Sequence, residues 1–319
     1  MKAAATSPRL AAALAVAEVS GRGRSLTTAL PAHSRGLAES DRGLTAELVY
    51  GTLRWYLQLD FMLARLLKKP FKAKDADIHA LLLVGLYQIL HLRIPDHAAV
   101  SETVAATAAL GKPWARGLAN GVLRNFLRRR DELMSAASAD READSAHPAW
   151  LLDRLAEAWP EDWPAVVAAN NAYPPMTLRV NRRRLDREAY LARLQEQAMA
   201  ARPAPHTDAG ITLERPVAVE RLAGFAEGEV SVQDGAAQLA AQLLAPEAGQ
   251  RVLDACAAPG GKTGHIAEIA PGLATLVAVD REPERLADVQ ANLARLGLTA
   301  QTVAADAADT AAWWDGTPF

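Results

Sequence analysis

The sequence of 319 residues contains one cysteine, Cys256. A single thiol excludes an internal disulfide and a zinc site built from several cysteines, and no metal site is expected. The sequence also lacks an uncharged apolar run of about 18 residues, so no membrane span is expected. The apolar stretch 10–17 is similar to a weak signal peptide, but it is short and also fits a first amphipathic helix. These absences favour a cytoplasmic protein.

Basic residues are scarce in the C-terminal part of the sequence. The net charge is −2 overall, yet it is +6 over residues 1–150, −2 over residues 151–230 and −6 over residues 231–319. The positive N-terminal part favours contact with a polyanion, and ordinary surface variation is the alternative. The length suits two or three domains.

Residues 1–135 are predicted to form an all-α domain. Helices are expected at 8–20, 41–68, 75–92, 97–110 and 113–133, with breaks at glycine and proline. A core face is predicted from residues that recur at helical spacing, namely Ile78, Leu81, Leu82, Gly85, Leu86 and Ile89.

Four arginines lie close together at the end of this region: Arg124, Arg128, Arg129 and Arg130. Such a cluster suits contacts with RNA phosphates. Arginine near a helix C-terminus also stabilises the helix dipole, so a solvated helix end is the alternative.

The middle of the sequence has a different pattern. A polar stretch rich in alanine and serine at 131–146 predicts a linker. Residues 145–230 predict a small α/β domain, with strands at 176–181, 210–213 and 229–233 and a helix at 186–199. Four of its arginines are predicted to line a nucleic-acid groove or, alternatively, to form a loop of solvated charge: Arg179, Arg182, Arg183 and Arg184.

The stretch RVLDACAAPGGKTG at 251–264 is the centre of the C-terminal part. It begins as a short buried strand, turns at Pro259-Gly260-Gly261 and continues as a helix. Glycine lets the backbone approach a ligand closely, and a helix N-terminus presents free N–H groups. This layout is typical of a nucleotide-binding loop. Asp280 closes the next predicted strand, and Asp306 follows the one after it.

Two familiar nucleotide-binding loops do not match this stretch. A phosphate-binding P-loop, GxxxxGK[ST], needs a glycine five positions before Gly261, where Cys256 stands. A dinucleotide site needs GxGxxG, which the sequence Ala258-Pro259-Gly260-Gly261 does not provide. A methyl-donor site is the third class.

Nine positions of the loop, Asp254 and Cys256 to Thr263, match the pattern D-x-C-A-A-P-G-G-K-T. In this the loop resembles the S-adenosylmethionine site of the RNA cytosine-5 methyltransferases. The phrases AELVYGTLRW, LLLVGLYQIL, RIPDHAAVSETV and KPWARGLANGVLRNFLRRR resemble the helical RNA-binding domain related to the antitermination factor NusB. ANNAYPPMTLRVN and GEVSVQDGAAQL resemble the middle segment of one bacterial ribosomal RNA methyltransferase family. The resemblance covers about residues 8–319.

The resemblance implies a multidomain chain. It predicts an all-α NusB-like RNA-binding domain at 1–135, a small α/β domain at 145–230 and an incomplete Rossmann-like class I methyltransferase domain at 231–319. The implied partner is 16S ribosomal RNA, bound by a monomer. RNA contacts are expected from Arg124, Arg128, Arg129, Arg130, Arg182 and Arg183.

The resemblance also implies the residues that bind S-adenosylmethionine. They are Cys256, Ala257, Ala258, Pro259, Gly260, Gly261 and Lys262, with Asp280 at the ribose hydroxyls and Asp306 at the adenine amine. Spacing alone only permits these last two roles. The alternative for Asp280 is a carboxylate that caps the next helix, and the alternative for Asp306 is a turn residue.

In the family a cysteine thiolate attacks C6 of cytosine, which makes C5 nucleophilic toward the methyl donor. The family's Pro-Cys and Thr-Cys pairs do not occur in this sequence, and Cys256 is expected to line the cofactor rather than to react. The expectation is therefore a C-terminally truncated chain, with the nucleophile beyond Phe319, a poorly packed C-terminal third and no activity alone. The alternative is a non-catalytic NusB-type RNA-binding protein with a degenerate cofactor domain.

Overall fold

The computed structural model describes residues 7–319 and divides the chain into two compact units. The first unit ends at Ala172, and the second comprises Tyr173–Phe319. The division into three domains at 1–135, 145–230 and 231–319 stays a prediction.

The described part of the first unit is helical. Its α-helices are α1 (Pro8–Arg22), α2 (Leu26–Ser34), α3 (Glu39–Arg54), α4 (Tyr56–Leu66), α5 (Ala76–His91), α6 (Asp96–Ala109), α7 (Ala115–Arg128), α8 (Arg130–Ser138), α9 (Arg141–Ser145), α10 (Ala149–Ala158) and α11 (Trp163–Asn171). The first of them is capped by the hydroxyl of Ser7, which accepts a hydrogen bond from the N–H of Leu10.

Helix α5 is the centre of this unit because it is apolar on nearly every side. It packs against α1, α3, α4, α6 and α7. The predicted core face is confirmed, since every one of its residues is buried. Gly51 of α3 lies so close to α5 that an added Cβ would overlap the ring of Tyr87. A glycine at this position therefore allows the two helices to approach.

Two long predicted helices are each divided in the structure. The helix expected at 41–68 breaks at Trp55, which has φ −98° and ψ 17° and whose ring stacks on His91 with centroids 4.6 Å apart. The helix expected at 113–133 breaks at Arg129, with φ −113° and ψ 17°. The sequence pattern does not predict α2, whose interior contains Pro31.

Residues 131–146 do not form a linker, so that prediction is wrong. They lie in α8 and α9, and Leu133, Ala137 and Ala143 belong to the same buried core as α5. The side chain of Asp140 caps α9 by accepting hydrogen bonds from the N–H groups of Glu142 and Ala143. Alanine and serine suit both a linker and a short helix, and here burial of three apolar side chains stabilises the helices.

The second unit begins with an antiparallel sheet in the strand order β2-β3-β1-β4. Its strands are β1 (Met176–Val180), β2 (Ala201–Pro203), β3 (Gly210–Leu213) and β4 (Val230–Val232). Helix α12 (Arg187–Glu196) follows β1, and its Tyr190 and Leu194 pack on Leu178 and Ile211 of the sheet. The predicted α/β pattern is confirmed here, and β2 is an additional strand.

The rest of the second unit is a parallel sheet in the order β5-β6-β7. Its elements are α13 (Gly235–Leu244), β5 (Arg251–Asp254), α14 (Gly261–Ile269), β6 (Thr275–Asp280), α15 (Pro283–Leu296) and β7 (Gln301–Ala304). Parallel strands joined by helices place their carboxyl ends at one edge of the sheet, where ligands bind in such folds. These elements have the order expected for a Rossmann-like methyltransferase domain. The expected poor packing of this part stays a prediction.

Across residues 7–319, every helix is too short or too polar to span a bilayer. The same residues contain no cluster of three or more His, Cys, Asp or Glu side chains arranged to hold a metal ion.

Candidate functional site

Asp280, the last residue of β6, is at the centre of the candidate site. Its Oδ2 accepts a hydrogen bond from the N–H of Ala258 at 3.0 Å, and its Oδ1 accepts one from the N–H of Glu282 at 3.2 Å. Arg285 lies 3.7 Å from Oδ1, and the carboxylate is 7% exposed. Burial alone raises the pKa of Asp280, but these N–H donors and the charge of Arg285 together hold it below its usual value. Asp280 is therefore ionised at neutral pH.

The loop between β5 and α14 is fixed from two sides. The N–H of Ala257 donates to the carbonyl of Val279 in β6 at 3.0 Å. The buried hydroxyl of Thr263 donates to Oδ2 of Asp254 at 2.7 Å, which joins the first turn of α14 to the end of β5. The sequence motif contains Asp254 and Thr263, and their bond shows that this part of the motif stabilises the loop itself.

Gly260 precedes α14 in a conformation that side chains disfavour. Its φ is 93°, and an added Cβ would lie 3.1 Å from Cα of Val289 in α15. No side chain caps the first turn of α14. The N–H groups of Gly261, Lys262 and Thr263 are therefore available to an anionic ligand, because the first N–H groups of a helix have no partner within it.

The structure places the other predicted cofactor residues in the same loop. Cys256, Pro259 and Lys262 are exposed, Ala257 is buried, and Ala258 and Gly261 are partly buried. Exposed residues on the loop and free N–H groups at its end suit a ligand that has both an amino-acid part and a nucleoside part. Their role in binding stays a prediction.

Asp306 lies in the turn after β7. Because β7 pairs with β6, Asp306 and Asp280 follow or close adjacent strands at the same edge of the sheet. The Asp306 side chain is exposed, and its Oδ1 accepts a hydrogen bond from the N–H of Ala308 at 2.9 Å. This hydrogen bond within the turn agrees with the alternative interpretation of Asp306 as a turn residue. The adenine role stays a prediction.

The four arginines at the end of α7 differ in their surroundings. Arg124 and Arg128 are exposed, and each donates to an asparagine of its own helix. Arg129 forms an ion pair with Glu132 at 2.6 Å, and Arg130 forms one with Asp96 at 3.1 Å. Arg124 and Arg128 are therefore the better placed of the four to bind phosphate.

The arginines after β1 also divide into two kinds. Arg182, Arg183 and Arg184 are exposed, and Arg182 lies 3.6 Å from Asp208. Arg179 cannot line a nucleic-acid groove, contrary to the prediction, because its side chain is 1% exposed and pairs with Glu268 of α14.

Glu268 and Gln233 accept hydrogen bonds from Arg179, and the sequence analysis predicts neither contact. Glu268 is the one acid in the apolar segment at 266–270 of α14, and a charge at such a position is a signal of a buried partner. Burial and the charge of Arg179 lower the pKa of the neighbouring His265 to about 3, so His265 is neutral and does not compete for Glu268.

Comparisons with known proteins identify each part of the chain. Residues 6–128 match the NusB family, residues 147–220 match the ferredoxin-like domain of the RsmF/B-like methyltransferases, and residues 241–319 match 16S rRNA methyltransferase RsmB/F. The solved structure titled PH0851 is similar in fold, with a TM-score of 0.72 and 19% sequence identity over 97% of this chain and 71% of that chain. The matching family models place the chain in the class of ribosomal RNA methyltransferases that also contain a NusB-like helical region.

The relatives make the assignment specific. The chain is 54% identical to ribosomal RNA small subunit methyltransferase B of Pseudomonas putida over 98% of its own length and 72% of that protein. It is 44% identical to the probable ribosomal RNA small subunit methyltransferase B of Coxiella burnetii over 98% of its length and 72% of that protein. The chain belongs to the family of ribosomal RNA small subunit methyltransferase B.

Proposed function

We propose that this chain binds S-adenosylmethionine in the loop of residues 256–262 and belongs to an enzyme that transfers the donor's methyl group to C5 of a cytosine in 16S ribosomal RNA. The catalytic cysteine of that reaction is not among residues 1–319. The single observation that carries the proposal is the hydrogen bond from the N–H of Ala258 in this loop to the carboxylate of Asp280, at the carboxyl edge of the parallel sheet. A carboxylate at the end of the second strand is the group that accepts ribose hydroxyls in nucleotide folds of this kind. The family's name agrees with a methyl transfer to small-subunit RNA.

Each part of the site has its own role in the proposal. The N–H groups of Gly261, Lys262 and Thr263 hold the carboxylate of the methionine part. Each carboxylate oxygen of Asp280 accepts one hydrogen bond from a backbone N–H group. Each oxygen therefore has a further lone pair that can accept from a ribose hydroxyl. Asp306 accepts the adenine amine. When bound, S-adenosylmethionine supplies an electrophilic methyl group on a sulfonium.

The reaction on the base is proposed from the resemblance. A cysteine thiolate other than Cys256 adds to C6 of cytosine, and the enamine carbon C5 then takes the methyl group as the S–CH3 bond breaks and its electron pair stays on sulfur. A base removes the C5 proton, and the thiolate leaves. Cys256 is not assigned this role, because it lies in the loop that surrounds the methyl donor. The target base has to leave its stack to reach the site.

The RNA partner is the second part of the proposal. Arg124, Arg128, Arg129 and Arg130 of the helical unit and Arg182 and Arg183 after β1 contact phosphates of 16S ribosomal RNA. The resemblance gives cytosine 967 as the target. We also propose that the protein acts as a monomer and is located in the cytoplasm.

Calorimetric titration of the 319-residue chain with S-adenosylmethionine tests the site. We expect one site per chain and a loss of affinity of at least about tenfold in Asp280→Ala, because two ribose hydroxyls lose a charged acceptor. Asp288→Ala is the control, since Asp288 is an exposed aspartate of α15. Absence of binding by folded protein contradicts the proposal and favours a non-catalytic RNA-binding protein. Equal affinity in Asp280→Ala removes Asp280 from the site.

A further inference from the structure

Arg179 is a charged residue in the interior of the second unit. It lies in β1, and its side chain is 1% exposed. Its Nε and one terminal nitrogen donate to the two carboxylate oxygens of Glu268 at 3.1 and 2.8 Å. The other terminal nitrogen donates to Oε1 of Gln233 and to the carbonyl of Gly261 at 2.9 Å. The guanidinium is thus bonded on three sides.

Two of these acceptors are on the same face of α14. Gly261 is the first residue of the helix, and Glu268 comes two turns later. Arg179 therefore contacts α14 both at its first residue and near its last. The third acceptor, Gln233, directly follows β4. The inner strand β1 and the edge strand β4 of the antiparallel sheet are in this way connected to the helix that begins at the cofactor loop.

Stability alone does not account for this arrangement. Apolar residues of similar volume usually stabilise an interior as well as a buried ion pair does, because removing two charges from water is costly. An apolar residue at position 179 cannot bind the carbonyl of Gly261, however. The hydrogen bond to Gly261 is the feature that an apolar substitute cannot reproduce.

We propose that Arg179 is a positioning residue for the methyl donor: by binding Glu268 and Gly261 at once, it fixes the first turn of α14 in the direction in which its N–H groups hold the donor's carboxylate. The inference rests on the proposed function of the loop. It assigns to β1 of the antiparallel sheet a part in cofactor binding.

The test separates folding from positioning with four variants of the 319-residue chain. Arg179→Met and Glu268→Leu each leave one buried charge without its partner, and we expect a lowered melting temperature in both. The double variant Arg179→Met/Glu268→Leu leaves no unpaired charge, so most of the melting temperature is recovered. The fourth variant, Arg295→Met, is the matched control. Arg295 of α15 interacts electrostatically with Arg179 and Glu268, but it donates to the carbonyls of Phe225 and Val230 at 2.6 and 3.0 Å, and none of its hydrogen bonds reaches α14.

Calorimetry with S-adenosylmethionine then gives the decisive comparison. We expect the dissociation constant of the double variant to stay about tenfold above that of the unchanged chain. In Arg295→Met we expect it to stay within about twofold, even though the melting temperature falls. A ligand-free measurement supports the same comparison: the amides at 261–264 exchange faster in the double variant than in Arg295→Met.

Each outcome decides one question. A double variant that regains both melting temperature and affinity shows that Arg179 is purely structural and overturns the inference. A melting temperature that is not regained, with affinity and amide exchange unchanged, overturns it as well. No binding by the unchanged chain contradicts the proposed function itself, which distinguishes that failure from a failure of the Arg179 inference.

Discussion

Asp280 at the end of β6 accepts a hydrogen bond from the N–H of Ala258 at 3.0 Å, and this bond fastens the loop after β5 to the neighbouring strand. The same carboxylate accepts the N–H of Glu282 at the entry to α15. One buried side chain therefore shapes both backbone segments at the carboxyl edge of the sheet.

Removing this carboxylate is expected to loosen the loop in the absence of any ligand. Asp280→Ala leaves the N–H groups of Ala258 and Glu282 without their acceptor, which costs about 1–3 kcal/mol of unfolding free energy. Hydrogen exchange followed by mass spectrometry should show faster exchange across 256–262 in this variant. Asp288→Ala on the exposed face of α15 is the control. Unchanged exchange in Asp280→Ala contradicts the fastening role.

Gly260 is expected to tolerate no side chain. Gly260→Ala introduces a Cβ at φ 93°, 3.1 Å from Cα of Val289, and should lower the free energy of unfolding by about 1–3 kcal/mol. The neighbouring Gly261 has no such φ, and the atom nearest to an added Cβ there, Nε2 of Gln233, is 3.8 Å away. Gly261→Ala should therefore stay within about 0.5 kcal/mol. Urea unfolding of the two variants makes the comparison, and equal losses contradict it.

His91 is expected to make the helical unit sensitive to acid. Its ring stacks on Trp55 and Tyr87, with centroids 4.6 and 5.3 Å apart, and burial lowers its pKa from 6.5 to about 4. Between these pH values the unfolded chain binds more protons than the folded chain. The contribution of neutral His91 to the free energy of unfolding is therefore fully present above about pH 6.5, and it is lost as the pH falls toward 4.

The variant His91→Phe keeps the ring stack and removes the titration. We expect its unfolding free energy to change less with pH than that of the unchanged chain, by about 2 kcal/mol between pH 7 and pH 4. Denaturant unfolding monitored by circular dichroism at a series of pH values measures this difference. Parallel pH dependence in the two proteins is the contradicting result.

The salt dependence of RNA binding should distinguish the arginines of α7. Arg124 and Arg128 are exposed without an ion pair to an acid, so the variant Arg124→Ala/Arg128→Ala should weaken binding to 16S ribosomal RNA and reduce the slope of log K against log salt by about one per arginine. Arg154→Ala is the control, because Arg154 is 77% exposed and pairs with Glu157 on α10. A slope that is unchanged in the double variant excludes these two phosphate contacts.

The loop was predictable because it is local in sequence. Its strand, turn and helix lie within residues 251–269, and glycine and proline mark their limits. Asp280 was predictable for a similar reason, since it closes an apolar strand at a regular distance from the loop. Local sequence pattern therefore predicts the strand, turn and helix of this loop and most residues of the candidate site.

Arg179 was misplaced because its partner, Glu268, is 89 residues away. In β1 and the residue after it, Thr177, Arg179 and Asn181 alternate with Leu178 and Val180, which is the pattern of a strand with one solvated face. Both faces are buried in the structure. Arg179 donates to α14 and to Gln233 after β4, and Asn181 donates to the carbonyl of Gly228 before β4. A single sequence does not show which distant segment covers a strand.

The linker expected at 131–146 fails for a related reason. This segment has few large apolar residues, so its apolar periodicity is weak. Leu133, Ala137 and Ala143 are nevertheless buried in the core of the helical unit. Packing by distant helices, rather than local propensity, stabilises α8 and α9.

The central claim is that the methyl donor binds between the loop at 256–262, Asp280 and Asp306. Amide chemical shifts of the isotope-labelled chain, measured during titration with S-adenosylmethionine, test it most directly. The account predicts saturable shifts concentrated in 256–263 and near 280–282 and 305–308, with little change across α1–α11. Shifts concentrated elsewhere in the chain, or none at saturating ligand, would contradict it.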